Sequence, residues 1–285
     1  RLDATNVITP LVCVITNIAM EHQFFLGSRL MDIAGEKAGI IKEGVDLVTG
    51  ASQPEVVKFF QSVCDEKKAP MFRLGKDFRS RTTATGFHYS GRALRLKKLN
   101  LGLRGRFQAR NAALALAVIE SLKEKGFEVS SRDIRKGLKK VCWPGRMHLL
   151  GTEPTLILDG AHNPAAIRTL ADCIKKEFAY RRLILVIGIM EDKEIGRIVR
   201  NIVPISDYTL YTRPLYPRAA DPRLLMDAGA ALGKAGEEVI PLPRALDRSR
   251  KMAGPEDLIL VTGSLFTVGE AMAYLDPEAY GPDET

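Results

Sequence analysis

Asp159-Gly160-Ala161-His162-Asn163-Pro164 follows the apolar run Thr155-Leu156-Ile157-Leu158 and precedes a helical pattern from Ala165 to Ala171. The order is strand, sharp turn, helix. A carboxylate closes the strand, a glycine permits an unusual backbone angle, and His and Asn stand where the helix begins. In a parallel α/β sheet, ligands collect at that end of the strands, where helix N-termini offer unpaired N–H groups.

Outward from this turn the rhythm repeats. Strands are expected at 155–158, 183–187, 208–212, near 238–240 and at 258–261. Helices are expected at 163–178, 192–202, 221–235, 244–252 and 265–275. Such alternation implies an α/β fold with a mostly parallel sheet covered on both faces. Asp159, His162, Asn163, Asp192 and Ser264 all fall at the C-terminal ends of those strands. Singly, Asp192 reads as an ordinary acid at a helix start and Ser264 as an ordinary cap. Their convergence is what points to a site. The tail from Pro277 is expected to fray.

Toward the N-terminus, Trp143-Pro144-Gly145 breaks the pattern. That places a boundary between domains 1–142 and 143–285. The first domain opens with the buried-strand run Leu11 to Thr16, followed by a helix at 31–41 and a strand at 47–49. A helix from Pro54 and a strand near 71–73 come next, then antiparallel strands between Arg79 and Leu103. A long helix spans Phe107 to about Lys125, and Ser130 or Ser131 caps another up to about Val141.

Composition bounds the partners. Of 285 residues, 46% are hydrophobic and 27% charged, with a net charge of +8 that favours anionic ligands. Basic residues occur in runs of no more than two and aromatics are sparse, so a solvated basic surface is expected, with no nucleic-acid partner. Cys13, Cys64, Cys142 and Cys173 lie far apart, without zinc spacing or a disulfide framework. No apolar stretch is long enough to span a membrane, and a cytoplasmic protein is expected. No G-x-x-x-x-G-K-[ST] loop, G-x-S-x-G elbow or H-E-x-x-H is present.

Several residues carry two readings. His22, beside Glu21, is a structural histidine or a metal or phosphate ligand. Lys37, between Glu36 and Ala38, is an exposed helix lysine or a buried one of depressed pKa. Gln108 and Asn111 share a helix face as a capping pair or as amides facing a purine edge. Arg146 is a surface residue after a linker or a bidentate phosphate contact.

Taken together, six segments resemble the folylpolyglutamate synthase/dihydrofolate synthase family of the Mur ligase superfamily. They are Arg1 to Asn6; Ile15 to Gly27, with Glu21-His22; Ile33-Ala34-Gly35-Glu36-Lys37-Ala38-Gly39-Ile40-Ile41-Lys42; Gln108 with Asn111-Ala112-Ala113; Trp143 to Arg146; and Asp159 to Pro164, with Asp192-Lys193 and Thr262-Gly263-Ser264-Leu265 adding to them. The resemblance implies an incomplete central ATP-binding domain lacking the phosphate loop, then a Rossmann-like C-terminal domain. It implies ATP and Mg2+, with L-glutamate joined to folate or dihydropteroate through an acyl phosphate, by a monomer. It assigns His22 and a carbamylated Lys37 to magnesium, and Asn111, Arg146 and Asp159 to ATP. His162 and Ser264 fall to the glutamate side and Asp3 to the pterin, with Lys37 and His162 as the catalytic pair. Met20-Glu21-His22 and Phe266 depart from the family's usual Leu-Asp-His and Tyr. Without its phosphate loop the chain is expected to be a fragment that binds ATP poorly and turns over little. The rival readings are a Mur-type peptidoglycan ligase and a non-catalytic relative.

Overall fold

The apolar run before Thr16 becomes β1 (Val12–Ile15) in a computed structural model, which describes residues 4–19 and 29–281. The chain divides into two compact units at the Cys142–Trp143 junction.

In the first unit, β1, β2 (Asp46–Thr49) and β3 (Met71–Arg73) form a parallel sheet in that order, separated by α1 (Leu30–Ala38) and α2 (Pro54–Glu66). Pro54 starts α2 with its φ already helical and no N–H to satisfy. Val56, Phe60 and Cys64 of α2 and Ile33 and Ala34 of α1 bury one face against Cys13, Ile15 and Leu47. Fully burying one such side chain stabilises the unit by roughly 1.5–3 kcal/mol. β4 (Arg79–Thr83), β5 (Gly86–Ser90) and β6 (Arg95–Leu99) make a separate antiparallel meander. The long α3 (Arg106–Glu124) packs against both sheets through Ala112, Ala113, Leu116 and Ala117. Ser130 caps α4 (Ser131–Lys140), accepting from Asp133 N at 3.2 Å.

The second unit is a six-stranded sheet. Its strands are β7 (His148–Thr152), β8 (Thr155–Asp159), β9 (Leu183–Ile187), β10 (Tyr208–Tyr211), β11 (Gly236–Glu238) and β12 (Leu258–Thr262). Their order is β11-β10-β9-β12-β8-β7, parallel except where β7 meets β8. The helices are α5 (Pro164–Glu177), α6 (Ile195–Ile202), α7 (Pro222–Ala230), α8 (Leu242–Met252), α9 (Leu265–Leu275) and the short α10 (Pro277–Tyr280). Helices α8 and α9 bury Leu246 and Val268 against Leu158, Val186 and Val261. Thr262 lies in register with both Asp159 and Ile187, so three strands end at one level.

Several elements differ from expectation, among them α7, which ends at Ala230 and not at 235, and α1, which ends at Ala38 and not at 41. Edge strand β7 was not foreseen, because His148-Leu149-Leu150-Gly151-Thr152 has no clear alternation. β11 falls at the polar stretch Gly236–Glu238 and not at 238–240. Asp192-Lys193-Glu194 form a turn before α6, so that helix starts later than 192. Residues 277–280 are helical where fraying was expected, with Asp276 accepting from Ala279 N at 3.1 Å.

At the opposite end of the strands, buried Asp257 accepts from Arg182 Nη2 at 2.6 Å and Gly254 N at 2.9 Å. The Arg182 guanidinium holds this carboxyl below its usual range, despite burial. A depressed folded pKa stabilises above the unfolded value, about 3.9, and the gain is lost as pH falls through the folded pKa. Asp257→Asn is therefore expected to flatten the acid limb of the stability curve below about pH 4. Melting temperatures across that range check it; an unchanged acid limb removes the pair from the account.

Candidate functional site

Asp159 closes β8 and is 4% exposed. Its Oδ2 accepts from Met147 N and its Oδ1 from Ala161 N, each at 2.9 Å. Gly160 N donates to Gly145 O at 2.8 Å. The Pro144-Gly145-Arg146-Met147 turn is thus clipped to the Asp159–Ala161 loop at two points. Gly145, at φ +73°, and Met147, at φ +45°, lie in the left-handed region that an ordinary side chain disfavours. The clip holds Met147 in that conformation, and with it Arg146, half-buried between the two. Burial pushes the Asp159 carboxyl up; the two N–H bonds and the nearby Arg146 and His162 charges pull the other way.

His162 Nδ1 lies 2.9 Å from Gly160 O. A carbonyl only accepts, so Nδ1 carries the hydrogen and Nε2 is the basic nitrogen of the neutral ring. Asn163 caps α5, its Oδ1 accepting from Ala166 N at 2.8 Å. The neighbouring loop is tied in by Thr262, whose hydroxyl donates to Asp159 O at 2.7 Å.

Ser264 caps α9 and is 2% exposed. Thr267 Oγ1 donates to Gly188 O at 2.8 Å, which uses its one hydrogen. Ser264 Oγ, 2.7 Å away, must then donate to Thr267 Oγ1, while accepting from Thr267 N at 2.9 Å. Only one lone pair of Ser264 is left for a ligand. Gly263, at φ +113°, brings this loop so near Gly188 that a Cβ would sit 2.4 Å from its carbonyl oxygen. Asp192 and Lys193 pair with each other at 2.6 Å beyond β9. Thr267 has no counterpart among the residues that the sequence points to, and Thr262 enters there only as part of Thr262-Gly263-Ser264-Leu265. The Ser264-x-x-Thr267 spacing is the one signal that could have found Thr267.

In the first unit Lys37 is exposed on the last turn of α1, the plainer of its two readings. Asn111 Nδ2 donates to Gln108 Oε1 at 2.9 Å. The pair does not cap the helix, which begins at Gly105 without a side-chain cap. Both residues line an apolar pocket of about 410 Å³ together with Leu101, Leu116, Ile134 and Leu138. Asp3 and His22 lie outside the described residues. Among the described residues no group of three or more His, Cys, Asp or Glu is disposed to hold a metal ion. Mg2+ bound with nucleotide phosphates keeps several waters and needs only one or two protein ligands. Of the two ligands that the resemblance assigns to such an ion, Lys37 is the one described, exposed on α1.

Residues 145–265 match the family described as "Mur ligase, glutamate ligase domain". The dihydrofolate synthase/folylpolyglutamate synthase of Bacillus subtilis (strain 168) is 33% identical over 276 residues, covering 95% of this chain and 64% of that protein. The folylpolyglutamate synthase of Lacticaseibacillus casei is 32% identical, covering 93% of this chain and 62% of its own length. A solved structure of E. coli FolC in complex with DHPP and ADP superposes with a TM-score of 0.88 at 32% identity, over 98% of this chain and 64% of the other. The Yersinia pestis bifunctional enzyme complexed with AMPPNP and Mn ion gives 0.84 at 28% identity, over 96% and 63%. The chain thus spans just under two thirds of the length of these relatives. Among the described residues no helix is long and apolar enough to cross a membrane.

Proposed function

We propose that the chain is part of a folylpolyglutamate synthase/dihydrofolate synthase, and that its protein joins L-glutamate to folate, to dihydropteroate, or to both, with ATP and Mg2+. ATP phosphorylates the pterin substrate's carboxylate. The glutamate amine attacks the acyl phosphate, the amide forms, and ADP and phosphate leave. What carries this reading is the turn that Asp159 clips, because it fixes the backbone around Arg146 to the strand-end loop that carries His162, a histidine of defined tautomer. The similarity to E. coli FolC, solved with DHPP and ADP, supports the substrate class.

The residue roles follow from chemistry. Arg146 offers a planar fork to phosphate oxygens and neutralises charge that builds as the phosphoryl group moves. Asp159 acts mainly by holding the Arg146 turn, with its remaining lone pairs open to a nucleotide hydroxyl. His162 Nε2 accepts the proton released by the attacking amine. Ser264, its hydrogen used inside the fold, shapes the loop on the glutamate side. Asn111 presents its free amide edge to the base. His22 and carbamylated Lys37 bind the magnesium that screens the two anions from each other. Asp3 contacts the pterin.

The test is ADP release by the full-length protein with glutamate and each pterin in turn. Release stimulated by one or both is expected, and it fixes the substrate. If neither stimulates it, the folate assignment falls.

A further inference from the structure

Residues 97–104 and 131–140 hold eight basic residues and one acid, against a net excess of +8 for the whole chain. The charge that looked dispersed along the sequence is gathered by the fold. Arg135 donates to the carbonyls of Lys97 at 3.0 Å and Lys98 at 3.3 Å, and Gly102 N donates to Leu138 O at 2.7 Å. These bonds lay α4 along the segment that follows β6. α4 buries Ile134 and exposes Arg132, Arg135, Lys136, Lys139 and Lys140. Lys97, Lys98 and Arg104 are exposed on the adjoining segment. The one acid, Asp133, is committed to the helix start, accepting from Ser130 Oγ at 2.5 Å and Ser130 N at 3.1 Å.

Helix stability does not account for this surface. Lys139 and Lys140 suit the negative end of the helix dipole, but Arg132 sits at the positive end, and gathered like charges repel. Gathered on one exposed face, these charges attract a polyanion more strongly than the same charges dispersed would. The inner face of α4, at Ile134 and Leu138, lines the same pocket as Gln108 and Asn111. The basic face is thus the outer side of the helix whose inner side walls that pocket.

We propose that this face binds the poly-γ-glutamyl tail of the protein's own substrates and products, an inference that rests on the ligase reading above. Each glutamate added brings one more carboxylate, so the product gains negative charge as it lengthens. Arginine forks and lysine ammonium groups pair with a flexible row of carboxylates without needing a fixed register. Single-stranded nucleic acid calls for aromatic stacking, and neither stretch contains an aromatic residue. A membrane surface calls for exposed apolar side chains between the charges, and the outward positions of α4 carry none.

The test is titration calorimetry of the full-length protein with pteroyl-monoglutamate, pteroyl-hexa-γ-glutamate and the free hexa-γ-glutamate peptide. The long tail is expected to bind about tenfold more tightly than the short one. The advantage should shrink as salt shortens the Debye length, about 8 Å at physiological ionic strength. Lys136→Gln/Lys139→Gln/Lys140→Gln should abolish it while leaving monoglutamate binding unchanged, and arginine at the same three positions should keep it. Equal affinity for both tails, or an advantage that survives the glutamine variant, overturns the proposal. Duplex DNA or anionic vesicles binding through these lysines more tightly than the peptide also overturns it. ADP release with the monoglutamate is read in parallel. If that fails while the peptide still binds through the lysines, the ligase reading falls and the surface stands.

Discussion

Asp159→Ala is expected to destabilise the second unit by about 3 kcal/mol, because two buried backbone N–H groups lose their acceptor together. Relief from burying a carboxylate offsets part of a larger loss. Asp159→Asn keeps one acceptor but turns an amide N–H toward a backbone N–H, so it should fall close to the alanine variant. The single tryptophan, Trp143, stands at the start of the clipped turn, and its fluorescence through a urea titration reports on it. An unchanged midpoint would mean that Asp159 does not brace the turn. Arg146→Ala separates bracing from binding. It removes a side chain that no part of the clip depends on, so nucleotide affinity should fall while the midpoint stays in place. Asp159→Ala should lower both. Equal effects of the two variants on stability would contradict this division of labour.

The second large effect belongs to Lys37→Ala in the full-length protein. Turnover is expected to fall about a hundredfold or more, the scale seen when one charge-stabilising group is taken from a transition state. The position is exposed on the last turn of α1, so stability should move by no more than about 0.5 kcal/mol. That contrast keeps the result from being read as unfolding. Carbamylation adds a testable demand. It needs the neutral amine and dissolved carbon dioxide, so wild-type rates should rise with added bicarbonate and those of the alanine variant should not. Wild-type turnover in Lys37→Ala would remove the residue from the site.

Much of the second unit was legible because its central strands are continuous apolar runs, which only a sheet covered on both faces accommodates. Leu183–Ile187 and Leu258–Thr262 announce themselves in this way. The edges did not. β7 and β11 lie at the margins of the sheet, where one side lacks a neighbour and residues such as His148 or Glu237 are tolerated, so neither shows the pattern of a core strand. The site divided along a similar line. Caps such as Asn163 and Ser264 are written in residue type and spacing. The use of Asp159 was not, because its partners are the backbone N–H groups of Met147 and Ala161, and every residue but proline carries one. Nor could residue order show that Thr267 takes the Ser264 hydrogen, since Gly188 comes close only through the sheet. The basic face is the same lesson in charge: no run exceeds two residues, and two segments become one surface through the carbonyls of Lys97 and Lys98.

The place of β12 has a consequence for how the protein is made. The last of the described strands lies between β8 and β9, hydrogen-bonded to both. A nascent chain leaves the ribosome N-terminus first, at roughly 5–20 residues per second. Until residue 262 is free, β8 and β9 each show an unsatisfied apolar edge toward the gap that β12 will fill. Such edges are templates for pairing with other chains. Synthesis arrested between residues 187 and 258 should therefore yield aggregates, not a soluble intermediate.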